Sequence, residues 1–215
     1  MKPLLLSFFF FIALFSAKAQ TASPDEYLGY PLGTRFTAHH QVVGYFKYVA
    51  EKNPQIKLQS YGKTYEGREL MVAIISSASN MNRLEEIRQN NLALSNASTA
   101  NINLQNQPAI LWLSYNVHGN EASSTETAMK MIYTLAEAKG ANIKQYLENT
   151  VVIIDPCLNP DGRDRYVQNF NSVTGIVPDA NPAAREHQEP WPRGRANHYY
   201  FDLNRDWAWQ TQIES

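Results

Sequence analysis

Cysteine is nearly absent from this sequence: Cys157 is the only one in 215 residues. One thiol cannot close an intrachain disulfide, so stability has to come from a packed core. The same absence removes a lipid anchor on a cysteine near the N-terminus. Cys157 follows the apolar run 151–154 and Asp155-Pro156, and it reads as a small buried hydrophobe, not as a nucleophile. Charge of one sign is missing as well. A formal net charge of -1 gives no electrostatic reason to expect nucleic acid. No repeat of fixed period and no long low-complexity tract is present. With 44% hydrophobic and 18% charged residues the composition is that of a folded globular chain, one domain by default.

The most apolar run, residues 4–15, is broken only by Ser7 and is shorter than the ~20 residues a spanning helix needs. With Lys2 before it and Ala17-Lys18-Ala19 after it, residues 1–19 read as a signal peptide cleaved before Gln20. The expected product is secreted or periplasmic, with no stable membrane anchor after cleavage. Residues 20–35 read as a lead-in containing Pro, Gly, Ser and Thr, and residues 36–215 as the folded unit.

Within that unit Thr37 is placed to cap a helix ending near Glu51, with Val42, Phe46 and Val49 on its apolar face. His39 and His40 read as polar residues of its first turn. Segments 56–61 and 69–75 read as two strands joined by a glycine-containing turn, and 81–95 as a polar helix. Residues 108–114 read as a fully buried central strand, 122–138 and 143–149 as helices, and 151–155 as a further strand. Strand, helix and strand in that order imply a parallel pair with a right-handed crossover. The expected class is α/β: a mixed, mostly parallel sheet with helices on both faces. Asn159-Pro160-Asp161-Gly162 reads as a turn. A long irregular stretch over 171–194 follows it, and 200–203 could add a strand.

Three short patterns carry the chemistry. His118-Gly119-Asn120-Glu121 follows the central strand. Side chains three apart on a helical turn lie roughly 5–6 Å apart at Cβ. Zinc takes imidazole nitrogen and carboxylate oxygen at about 2.0–2.2 Å, so one ion can bridge this pair. Alone, the tetrapeptide is equally a loop histidine beside a solvated Glu. Asn204-Arg205 offers a planar guanidinium to a carboxylate, although Asp202 or Asp206 could equally take it as an ion-pair partner.

Taken together, His118-x-x-Glu121, Asn159-Pro160-Asp161-Gly162 and Asn204-Arg205 resemble the zinc metallocarboxypeptidases of the M14 family. The His-Gly-Asn-Glu wording is similar to the carboxypeptidase N/E type. The resemblance implies one zinc ion held by His118 and Glu121, with a third ligand His and a general-base Glu beyond Ser215. It implies that Asn204 and Arg205 grip the free α-carboxylate of a peptide or protein C-terminus. It implies an arginine that polarises the scissile carbonyl, for which Arg195 is preferred and Arg193 is the alternative. The chain is accordingly read as part of a catalytic domain, inactive by itself, whose parent releases C-terminal residues. Related deacylases and cell-wall peptide hydrolases share the zinc pattern and leave a second reaction open, and a non-catalytic remnant is the third reading. His187 and His198 precede Arg205 and do not match the third ligand's place in the order.

Overall fold

The computed structural model describes residues 21–96 and 104–215; the signal-peptide reading lies outside the described residues. In chain order the elements are α1 (Pro24–Leu28), α2 (His39–Lys52), β1 (Ile56–Lys63), β2 (Glu69–Ile75), α3 (Ala78–Met81) and α4 (Leu84–Ser95). There follow β3 (Ala109–Ser114), α5 (Ser123–Glu137), α6 (Ala141–Asn149), β4 (Thr150–Asp155) and α7 (Pro160–Val173). One four-stranded sheet has the order β1-β2-β4-β3. β2 pairs antiparallel with β1 and with β4, and β3 runs parallel to β4. The mixed α/β class expected from the sequence is the one observed. Among the described strands the antiparallel pairings outnumber the parallel one.

β2 lies between two strands, and its run Leu70-Met71-Val72-Ala73 is buried on both faces. Met71, Ala73 and Ile75 of β2 and Val152 and Ile154 of β4 form one side of the core. Val42, Phe46 and Val49 of α2, spaced one helical turn apart, pack there with Met129 and Ile132 of α5. Burying a side chain such as Phe46 stabilises the fold by about 1.5–3 kcal/mol. The lead-in joins this layer: Ser23 and Glu26 form a capping box on α1, and Tyr27 packs on Tyr45 and Tyr48 of α2.

Several expectations are corrected here. β3 is not fully buried: it pairs on one side only among the described residues, and Leu111 and Trp112 are 47% and 59% exposed. A short apolar run has the same pattern in a central strand as in an outer one, so composition could not separate them. Thr37 does not cap α2, whose N-cap is Ala38 with no side-chain bond. Its hydroxyl donates instead to Glu126 Oε2 at 2.9 Å. The polar helix expected over 81–95 is α4, which starts three residues later at Leu84, with the separate short α3 before it. Asn159-Pro160-Asp161-Gly162 is not a turn but the start of α7: Asn159 Oδ1 accepts from Gly162 N at 3.0 Å, and Pro160 needs no N–H in a first turn. Residues 200–203 form no strand, because Tyr200 sits at φ 66, outside the extended region. His39 opens α2 but is buried, with Nε2 2.9 Å from the Glu69 carbonyl, while His40 is exposed.

Cys157 is buried as expected, and burial pushes its thiol up to about 12, which leaves it protonated and unreactive. Beside it, Asp155 is 1% exposed and accepts from the Tyr61 hydroxyl at 2.7 Å and the Cys157 amide at 3.1 Å. Burial raises its pKa to about 7 and outweighs both bonds. A carboxyl raised in the folded state contributes stability that is fully present below its unfolded pKa, about 4, and is lost as pH rises through about 7. Asp155→Asn removes this dependence. The thermal midpoint of the variant relative to the native chain is therefore expected to climb between pH 5 and 8; a constant difference would contradict the assignment.

Candidate metal and carboxylate-binding site

The chain leaves β3 and turns at Asn116, a left-handed residue at φ 57. His118 O then accepts from Glu121 N at 3.0 Å, closing a turn that carries both side chains to one side. His118 Nδ1 lies 3.0 Å from Glu121 Oε1, and Nε2 lies 3.1 Å from Asp202 Oδ1. The other oxygen of Asp202 accepts from Arg195 Nε at 3.2 Å and Nη2 at 3.0 Å. Burial pushes the Asp202 carboxyl up, but the Arg195 fork, His118 and the Asn204 amide outweigh it and hold it below the usual carboxylate range.

This geometry fits a cation. With Nε2–H given to Asp202, Nδ1 is left with a lone pair facing a carboxylate oxygen 3.0 Å away. Two acceptors at that distance require a proton or a positive ion between them. An imidazole nitrogen and a carboxylate oxygen are zinc donors. Among the described residues no cluster of three possible ligands contains both His118 and Glu121.

A second group, Glu66, Asp161 and His198, does have metal-ligand spacing. His198 Nδ1 is 3.0 Å from Glu66 Oε1. Yet Arg68 Nη1 donates to both Glu66 Oε2 and Asp161 Oδ1, at 2.5 and 2.7 Å, and its Nε donates to Asp164 at 2.8 Å. The cationic place there is taken by a guanidinium. His187 is also outside the site, with Nε2 2.7 Å from the Asp179 carbonyl.

Three backbone segments cross beside His118. The Arg195 carbonyl accepts from Gly119 N at 3.4 Å and from Asn159 Nδ2 at 3.0 Å. A Cβ at Gly119 would lie 2.2 Å from Arg163 N and Gly162 C, and 2.4 Å from Gly194 O. All three are main-chain atoms and cannot swing aside, so the crossing demands glycine for space. Gly119→Ala is expected to destabilise the domain by roughly 1–3 kcal/mol or more. Urea unfolding measures it; an unchanged midpoint would show that the segments do not cross this closely.

Leu203–Arg205 is a single 3-10 turn opened by Asp202, whose Oδ1 accepts from Asn204 N at 3.0 Å. The Asn204 carbonyl oxygen of the side chain accepts from Trp207 Nε1 at 3.2 Å. Arg205 is exposed, and among the described residues its guanidinium hydrogen-bonds only to the Asn204 carbonyl, at 3.5 Å. It pairs with neither candidate aspartate. Asp202 is engaged by His118 and Arg195, and Asp206 accepts from Thr211 and Gln212. Arg193 sits at φ 65, and its guanidinium has no partner among the described residues; its carbonyl accepts from Arg165. Asp202, Asn116 and Arg163 were not singled out in the sequence as site residues. For Asp202 the sequence carries a signal, two positions before Asn204, but there it reads as a possible partner of Arg205.

The family model for zinc carboxypeptidases matches residues 42–215. The chain belongs to the zinc carboxypeptidase family. Comparison with solved structures finds thrombin activatable fibrinolysis inhibitor at 15% identity and a TM-score of 0.49, covering 71% of this chain and 31% of that one. It also finds a putative carboxypeptidase A from Shewanella denitrificans at 16% and 0.49, covering 82% and 33%. A metallo-carboxypeptidase from Burkholderia cenocepacia matches at 15% and 0.49, covering 79% and 32%. The chain thus spans about a third of the length of these structures. A comparison with curated proteins finds no match.

Proposed function

We propose that this chain carries part of the active site of a secreted zinc carboxypeptidase that releases residues from peptide or protein C-termini. The observation that carries the reading is Asp202: one carboxylate joins His118, from the turn after β3, to Arg195, from the irregular segment. His118 and Glu121 would hold one zinc ion, which when bound supplies a Lewis acid for the scissile carbonyl and for water. Arg195 stands beside them, with Asp202 fixing its Nε edge. Its remaining donors would meet charge developing on that carbonyl, where one such donor is typically worth about 3–4 kcal/mol. Arg205, exposed and without a carboxylate of its own, binds the substrate's terminal carboxylate with Asn204.

Two ligands and no general base stand among these residues, so the 215-residue chain by itself is expected to release nothing. The test is the longer parent, assayed on dansylated dipeptides, the same peptides amidated, acyl-amino acids and muropeptides. Zinc-dependent release from free-acid peptides alone supports the proposal. Preference for acyl-amino acids or muropeptides would assign a different reaction to the same scaffold, and zinc-dependent peptidase activity of the short chain would refute its expected inactivity.

A further inference from the structure

Asn116 is 3% exposed and uses both ends of its side chain. Nδ2 donates to His118 O at 2.6 Å. Oδ1 accepts from Thr125 Oγ1 at 2.9 Å and from Arg163 Nη1 at 3.0 Å. Arg163 is fully buried and fixed in turn by Glu126 Oε1 at 2.7 Å, the Ala122 carbonyl at 2.6 Å and the Thr37 carbonyl at 2.9 Å. The carbonyl that Asn116 holds is the same one that accepts from Glu121 N. Its direction sets the turn, and the turn sets where the His118 ring and the Glu121 carboxylate meet.

We infer that Asn116 is a positioning residue for the metal ligands: anchored by Arg163 and Thr125, it clamps His118 O and so holds His118 and Glu121 in register. The inference rests on the zinc reading for its consequence, but the clamp exists without metal. Backbone at φ 57 suits Asn and would suit few other side chains that could also donate to His118 O.

Asn116→Asp is the discriminating variant. It keeps size and the acceptor that faces Arg163 and Thr125, replaces the donor to His118 O with an oxygen that repels it, and adds a negative charge beside Arg163. Two readouts are made, the exchange on the 215-residue chain and the zinc titration on the longer parent. In metal-free protein, exchange of the Glu121 amide hydrogen is expected to accelerate about 10-fold while amides of β4 hold their rates. By calorimetric titration with zinc, affinity is expected to fall about 10–100-fold, the size seen when a ligand's supporting partner is removed. Thr125→Val, which removes one of the two anchors but keeps the donor to His118 O, is expected to accelerate Glu121 exchange less than Asn116→Asp does. Should Asp at 116 unfold the chain, Asn116→Gly, which tolerates the same backbone, takes its place with the same readouts. Unchanged Glu121 exchange in the folded variant overturns the clamp. Faster exchange beside a longer parent that binds no zinc upholds the clamp and removes the zinc reading instead.

Discussion

Arg163→Met is expected to lower the stability of the domain by about 3–5 kcal/mol, because it leaves the Glu126 carboxylate buried without its cation. Arg163 has no exposed surface, and Glu126 is 5% exposed. The guanidinium also satisfies three oxygens that have few substitutes: Asn116 Oδ1 and the carbonyls of Ala122 and Thr37. Those oxygens belong to the turn after β3, the start of α5 and the approach to α2, so one side chain ties three segments. A typical domain has about 5–15 kcal/mol in total, and the variant is expected to be largely unfolded at moderate urea. The mechanism has its own check. Adding Glu126→Gln removes the stranded charge and keeps one of the two oxygens that Thr37 uses, its N donating to Oε1 and its Oγ1 to Oε2. The double variant is therefore expected to recover part of the loss. A double variant less stable than Arg163→Met would show that lost packing, not the unpaired charge, dominates.

Arg205→Ala is expected to act on catalysis and hardly on folding. The side chain is exposed, and its single contact at 3.5 Å contributes little. Hydrogen bonds to a charged group are worth about 1.5–3 kcal/mol each, so losing a two-pronged grip on a carboxylate lowers kcat/KM by about 100-fold or more. The effect belongs to a parent protein with a complete zinc site. It is confined to free-carboxylate substrates, with amidated analogues left as poor as before. Equal loss on both would move Arg205 away from the substrate's terminus. Arg205→Lys is expected to recover only part, since an ammonium is a point charge without the planar fork.

The sequence made the sheet legible where side-chain pattern and burial agree. β2 was read over its observed span, and the α2 face of Val42, Phe46 and Val49 is the one that packs. It misled where one residue type serves two structures. Asn-Pro opens a turn as readily as a helix, and only the bond from Gly162 N to Asn159 separates them. Thr37 had the side chain of a cap, but a buried carboxylate from α5 claims it. The aromatic run at 199–201 has strand-forming composition, while its backbone turns through a left-handed residue. At the site, the residues proposed to bear the chemistry stand in short motifs. The supporting layer does not. Asp202, Asn116 and Arg163 act through contacts between distant segments, and nothing local in a chain announces a partner 84 residues away, as His118 and Asp202 are.

That separation has a consequence in time. The hairpin of β1 and β2 closes over a few residues, whereas the glycine crossing joins Gly119 to Gly194, far apart along the chain. Closing such loops is entropically unfavourable until the contacts that reward it are made. During folding, the sheet can exist before the crossing does. His118 and Glu121 are neighbours from the moment their turn forms, but Asp202 and Arg195 reach them only when the segments beside Gly119, Gly162 and Gly194 have locked together.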